Sequence, residues 1–228
     1  MSIKRQTDQW ALVNGHAIRY WKLGEASDTL LLLHGMGCSV LEWSENIEVL
    51  ARNFTVIAVD MLGFGRSSKP KDYDYSPQNQ ARTLVQLLDQ LSTEEVHLVG
   101  NSYGGRVALE MACLMVDRNK SLTLVASAGG GSAAPWALRL MTLPLLGRWL
   151  SQPDKDKNQL GWESVFVKKE RICQERIDEK FMDSLMPGAQ MSALATFRAM
   201  IDLLGFKRKD LEGRSEEHTS ELQTLTTI

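Results

Sequence analysis

Four short apolar runs constrain this chain more than any other feature: residues 30–33, 54–59, 96–99 and 122–125. Each is too short for a helix and too uniformly apolar for a strand with one wet face, so each reads as a central parallel strand covered on both sides. Between them the apolar spacing turns helical. Val40, Trp43, Ile47 and Leu50 fall on one face, as do Ala81, Leu84, Leu88 and Leu91 behind a Ser76-Pro77 start, and residues 107–116 form a third helix. Alternating strands and helices require right-handed crossovers, which place helices on both faces of a mostly parallel sheet. The fold class is therefore α/β. Ahead of the runs, residues 10–13 and 17–21 flank Asn14-Gly15, a pair that accepts the positive φ angles of a two-residue hairpin turn.

The alternation stops after residue 125. Gly129, Gly130 and Gly131 make a flexible joint, and residues 133–206 carry helical periods, the prolines Pro135, Pro144, Pro153 and Pro187, and no clear strand. This divides the chain into a core portion at 1–128, a helical cap or lid at 129–206, the start of a return to the core at 207–213 and a polar tail at 214–228. The stretch 133–150 is rich in Leu, Trp and Met, but Arg139, Arg148 and two prolines argue against a membrane span and for an amphipathic lid.

A length of 228 residues at 43% hydrophobic and 24% charged composition suits one domain with a sizeable core. Lys plus Arg number 26 against 28 for Asp plus Glu, a net charge of -2, so no broad positive field is on offer to nucleic acid, an anionic membrane or a polyanionic substrate. The first ten residues lack an apolar signal core, and a cytoplasmic location is expected. Cys38, Cys113 and Cys173 are odd in number, widely spaced and without a C-x-x-C pair. They read as buried thiols in a reducing compartment, not as disulfides or metal ligands.

Gly100-Asn101-Ser102-Tyr103-Gly104 stands between an apolar strand and a helix, the context in which a nucleophilic serine sits on a sharp corner. So tight a corner excludes bulk two residues to either side; Gly100 and Gly104 meet that demand, and Gly105 lets the helix approach closely. Ser102 is the candidate nucleophile. The helix starting beside it points free N–H groups at any developing negative charge. Leu33-His34-Gly35-Met36-Gly37 follows the first apolar run, and the amides of Met36 and Tyr103 are expected to form an oxyanion hole. His34 reads as a structural hydrogen-bonding residue, because a triad base must reach the serine from a separate loop. His97 reads as a satisfied core histidine and His16 as a surface residue of the hairpin. Residues 60–67, Asp-Met-Leu-Gly-Phe-Gly-Arg-Ser, lack the third glycine and helix start of a dinucleotide loop and read as a structural turn.

His34-Gly35 after a strand, the turn at 60–67, the corner at 100–105 and a helical insertion after the next strand together resemble the α/β-hydrolase superfamily over residues 8–210. The Gly-Asn-Ser-Tyr-Gly-Gly form further resembles lid-bearing esterases and the C–C bond hydrolases that cleave ring-fission products of aromatic breakdown. Dehalogenases and epoxide hydrolases of the superfamily carry an aspartate at the corner, so Ser102 points away from their chemistry. The resemblance implies no metal or organic cofactor, and a triad Asp and His placed after a seventh and an eighth strand. Those last strands are expected to be missing, roughly 60 residues by usual element lengths. Residues 205–213 turn polar where an apolar run and an Asp belong, and residues 214–223 resemble a translated sequencing adapter. His218 then has no triad role, and the sheet is expected to show a long unpaired edge.

The expected activity is hydrolysis of an ester or related carbonyl in a small apolar substrate through an acyl-enzyme on Ser102. Without the His and Asp, the chain as it stands is expected to be nearly inactive. Two other readings remain open. One is C–C bond hydrolysis of a vinylogous dienoate whose carboxylate is held by Arg139, Arg148 or Arg171; the other is a non-catalytic ligand receptor on the same fold.

Overall fold

The Asn14-Gly15 corner forms as its residue types require. In the computed structural model β1 (Gln9–Val13) and β2 (His16–Leu23) pair antiparallel, with Val13 opposite His16 across a two-residue turn. Asn14 and Gly15 both take positive φ, 51° and 80°, which matches the twist of the flanking strands. The structure describes residues 3–128, 136–165, 168–169, 172–203, 205–207 and 225–227.

The four apolar runs become β3 (Thr29–Leu33), β4 (Thr55–Val59), β5 (Val96–Asn101) and β6 (Asn119–Val125). Strand β2 lies antiparallel to β4, and β4, β3, β5 and β6 then run parallel in that order. The two-residue period of a strand sorts the core into two layers. Leu31, Leu33, Ile57 and Val59 face one apolar cluster, while Leu30, Leu32, Val56 and Ala58 face the other with Trp21, Trp43 and Ile47. Strand β6 departs from the expectation of full burial: only Leu122 is buried, because the strand lies toward the sheet's margin.

The helical segments agree in place more than in form. The face expected over residues 40–50 is broken into a 3-10 turn (Val40–Trp43) and the single-turn helix α1 (Ile47–Leu50), with i to i−3 bonds from Glu42 to Ser39, Ser44 to Leu41 and Asn46 to Trp43. Helix α2 (Pro77–Gln90) starts as its sequence requires, with Pro77 in the first turn and the Ser76 hydroxyl accepting from the Asn79 amide. Helix α3 (Tyr103–Leu114) starts four residues before the expected 107, since the corner feeds straight into it.

After β6 come α4 (Trp136–Leu140), α5 (Pro144–Leu150), α6 (Lys155–Val165), α7 (Gln174–Leu185) and α8 (Ala189–Met200). Helices α7 and α8 rest on the loops that leave the C-terminal ends of β3 and β4: Arg176 donates to Ser44 Oγ at 2.9 Å and Ser192 Oγ donates to the Gly63 carbonyl at 2.7 Å. Two differences follow α8. A short antiparallel pair, β7 (Ile201–Asp202) and β8 (Gly205–Phe206), forms where no strand was expected, with Gly205 supplying a φ of 133°. The edge of β6 is not left bare as expected: β9 (Leu225–Thr227) pairs parallel with Leu122–Leu124 over three residues. An open edge of unpaired N–H and C=O groups accepts any short β-prone segment within reach, and Leu-Thr-Thr is one.

Candidate active site

Ser102 is the single residue between the end of β5 and the start of α3, and it holds φ 50° and ψ −112°. A side chain in that region costs about 1–3 kcal/mol and persists only where its surroundings over-determine it. They do here. The Ser102 amide donates to the Val125 carbonyl at 2.9 Å, and its own carbonyl accepts from Gly105 at 3.1 Å, Arg106 at 3.3 Å and Ala128 at 2.9 Å. The glycines are sterically compulsory: a Cβ on Gly100 would lie 2.3 Å from the Gly104 carbonyl oxygen, one on Gly104 2.3 Å from that of Leu33, and one on Gly105 2.7 Å from Ser127 Oγ. The serine side chain emerges half-buried at the C-terminal end of the sheet.

The loop after β3 arrives beside it. A Cβ on Gly35 would stand 2.9 Å from Asn101 Oδ1 and 3.6 Å from Ser102 Cβ, so the loop backbone passes directly against the corner. A turn closed by Cys38 N–H to the Gly35 carbonyl at 3.1 Å, with Gly37 at φ 69°, contains Met36. Among the described residues neither the Met36 nor the Tyr103 amide has an acceptor. His34 is fully buried and spoken for on both nitrogens: Nε2 accepts from the Met61 amide at 3.1 Å, so Nδ1 carries the proton and donates to the Gly35 carbonyl at 2.7 Å. Burial holds its pKa below the ordinary histidine value, against the pull of Asp60. His34 is thus a neutral brace.

Asp60 organises the turn at 60–67. Its buried carboxylate accepts from the Val40 amide at 2.6 Å and the Arg66 amide at 2.8 Å, and pairs with the buried Arg19 at 3.1 Å. Any Cβ on Gly65 would collide with that carboxylate at 2.2 Å. The other described histidines are also engaged, His97 with Ser121 Oγ at 2.8 Å and half-buried His16 edge-on to Tyr73. Cys173 is buried, whereas Cys38 and Cys113 are only half-buried, a correction to the expectation for all three; none of them is in a disulfide among the described residues. Cys38 lies at the seam with α7, and Cys113 near the end of α3.

A cavity of about 110 Å³ lies between the turn at 60–67 and helices α7 and α8, bordered by Gly37, Phe64, Lys69, Lys180, Asp183 and Gln190. Phe64 joins it to the corner, its ring meeting those of His34 and Tyr103 at 5.7 and 5.9 Å. Of the arginines singled out from the sequence, Arg148 is exposed on α5 beside Arg198, Arg139 lies on α4, and Arg171 falls outside the described residues, as does His218. Sequence reasoning missed Glu42, Lys69, Lys180 and Asp183, which come together only because α7 docks on two loops distant in the chain.

A family profile described as alpha/beta hydrolase fold matches residues 28–160. The 2-hydroxymuconate semialdehyde hydrolase of Pseudomonas sp. (strain CF600) is 31% identical over 211 residues, covering 87% of this chain and 74% of that protein. The dihydrolipoyllysine-residue acetyltransferase component of the acetoin cleaving system of Pseudomonas putida is 40% identical over 129 residues, 55% of this chain, and the chain spans only 34% of its length. In structure, the meta-cleavage product hydrolase (CumD) from Pseudomonas fluorescens IP01 superposes with a TM-score of 0.73 at 23% identity, covering 96% of this chain and 77% of that one. The epoxide hydrolase CorEH gives 0.73 at 24% identity over 97% and 80%. Likeness at that identity is a likeness of fold, but the profile spans more than half of the chain, and with the strand order and the corner at Ser102 it makes this chain a member of the alpha/beta hydrolase fold family.

Proposed function

We propose that this is a serine hydrolase that attacks a carbonyl carbon of a small apolar substrate. The observation that carries the reading is the strained Ser102 at φ 50°, set against a glycine-lined loop whose Met36 amide, like that of Tyr103, has no acceptor among the described residues. Ser102 Oγ forms the bond to the carbonyl carbon, and the two amides hold the oxyanion in the tetrahedral intermediate. The leaving group departs and water then releases the acyl group. Helices α4–α8 act as a cap that bounds the substrate on the side opposite the sheet. The chemistry calls for no metal or organic cofactor.

The base is the open element. His34, His97 and His16, the described histidines, are all engaged away from Ser102, so deprotonation of the serine is not assisted by them. An oxyanion site without its base retains roughly 10³ to 10⁴-fold catalysis over water. The 228-residue chain is therefore expected to turn over a p-nitrophenyl ester slowly, and to accumulate an acyl group because deacylation lacks the same base. Intact-mass and peptide analysis should place that acyl group on Ser102 and find none in Ser102→Ala. Acylation elsewhere, or none despite ligand binding, would remove the serine-hydrolase reading and favour a receptor. Turnover at ordinary enzyme rates, roughly 1 to 10³ per second, would show that a base does reach the serine.

A second reading has its own support. The relatives whose similarity runs on through the helical segment are named 2-hydroxymuconate semialdehyde hydrolase, over 211 residues, and 2-hydroxy-6-oxo-2,4-heptadienoate hydrolase, over 193. This favours cleavage of a C–C bond in a dienoate over cleavage of a simple ester. Decay of a ring-fission dienoate chromophore, set beside release of p-nitrophenol, ranks the two. A dienoate bound but never consumed would point to the receptor.

A further inference from the structure

Glu42 stands out because nothing in the chemistry above uses it. It sits in the 3-10 turn at 40–43, which is pinned by the buried side chains of Val40, Leu41 and Trp43 and by the Val40 amide on Asp60. That turn aims the carboxylate back along the chain, where Oε2 accepts from the Gly35 N–H at 2.7 Å. Gly35 is the residue whose backbone passes the Ser102 corner, and the next amide is that of Met36. On its other side the carboxylate borders a cavity of about 20 Å³, water-sized, shared with Cys38 of its own loop and with Arg176, Lys180 and Asp183 of α7. Arg176 is itself fixed by Ser44 and Glu45.

We propose that Glu42 is a positioning residue that sets the direction of the Met36 amide through its bond to Gly35, and that Arg176 and Lys180 make this bond depend on the docking of α7. The inference rests on the reading of Met36 as an oxyanion donor. The Gly35 N–H belongs to the 34–35 peptide plane and the Met36 N–H to the 35–36 plane, which turn relative to each other only about Gly35 φ and ψ. Glu42 holds the first plane, His34 Nδ1 at 2.7 Å and the Cys38 N–H at 3.1 Å hold the second at the Gly35 carbonyl, and the three bonds together fix the Met36 amide. Burial pushes the Glu42 carboxyl up from its ordinary value, while the Gly35 N–H and then the Lys180 and Arg176 charges pull it down. Undocking α7 removes the two cations. It also opens the carboxylate to water, which then competes with the Gly35 N–H for its oxygens and loosens the bond.

Two measurements on the full chain test this. In the first, the Gly35 and Met36 amide resonances are followed by NMR from about pH 4 to 8. Both are expected to share a midpoint in the unaltered chain that disappears in Glu42→Gln, whereas any step from His34 or Asp183 persists in both chains. A Gly35 resonance that does not titrate, or a Met36 resonance that does not follow it, overturns the proposal whether or not the chain is a hydrolase. In the second, Glu42→Ala is expected to lower kcat for ester turnover about tenfold with KM nearly unchanged, the scale of a misdirected oxyanion donor. Glu42→Gln, whose amide oxygen still accepts from Gly35, is expected to recover most of the loss. Equal losses in both variants, or a loss in KM alone, overturn it. Turnover that survives Ser102→Ala undiminished refutes the serine reading instead, and the two amide titrations then decide by themselves whether Glu42 positions Met36.

Discussion

Ser102 keeps an unfavourable backbone because hydrogen bonds and steric limits converge on one residue, and this has a thermodynamic signature. Glycine adopts φ 50° and ψ −112° without a Cβ penalty, so Ser102→Gly is expected to raise the urea midpoint, by about 1 kcal/mol in stability once glycine's extra chain entropy is counted. A lowered midpoint would show that the corner is not strained. Gly104→Ala should act in the opposite sense: its Cβ would meet the Leu33 and His34 carbonyl oxygens at 2.3 and 2.6 Å, both backbone atoms that cannot swing aside. A loss of about 3 kcal/mol, or failure to fold, is expected, read by the same denaturation curve. Asp60 is the third such position. Removing its carboxylate leaves Arg19 buried without that partner and strips the Val40 and Arg66 amides of their acceptor, so Asp60→Ala is expected to cost about 3–5 kcal/mol.

At the scale of elements, the docking of α7 depends on charges that are partly withdrawn from water. Burial, then the nearby Asp60, pushes the Asp183 carboxyl up to about 6 from 3.8, with Glu179 also raising it and Arg19 and Lys69 lowering it. The folded chain therefore holds a proton on Asp183 that the unfolded chain has released between about pH 4 and 6. The stabilisation this provides is complete below the unfolded value and is lost as pH rises through about 6. Asp183→Asn has no such loss. Its stability relative to the unaltered chain is expected to rise between pH 4 and 7, by about 2 kcal/mol, in melts across that range; a constant difference would show that Asp183 is solvated. His34 works in the contrary sense, since its lowered pKa makes the fold lose stability as pH falls below the ordinary histidine range, and comparing chains that differ only at Asp183 separates the two.

At the scale of the whole molecule, large apolar side chains are exposed both on the sheet-bearing portion and on the helices after β6, and most strongly on the latter. Leu145 is 86% exposed, Leu160 65% and Trp149 61%, with the Lys157 ammonium over the Trp149 ring at 5.4 Å. Leu145→Lys is expected to leave the melting temperature nearly unchanged and to reduce concentration-dependent light scattering; a clear fall in melting temperature would show that Leu145 packs against something. The architecture as a whole was legible in the residues. Uniform apolar runs marked β3 to β5 because burial on both faces leaves no room for polar alternation, while Asn14-Gly15 admits a tight turn, Ser76-Pro77 a helix start, and the glycines at 100, 104 and 105 the close backbone approach that a Cβ would block. What the spacing at 40–50 could not reveal is the break into a 3-10 turn, because the helical period is local while the acceptor that pins Val40 is Asp60, twenty residues away. The place of the corner was legible in the sequence, since a serine flanked by glycines between an apolar run and a helix marks it, but its strained backbone is held by Val125, Ala128 and the Leu33 carbonyl, which only the fold brings there. The surroundings of that corner, from the acceptors that occupy His34 to the carboxylate behind Gly35 and the cations on α7, were decided only by tertiary packing, which brings together groups that no pattern along the chain relates.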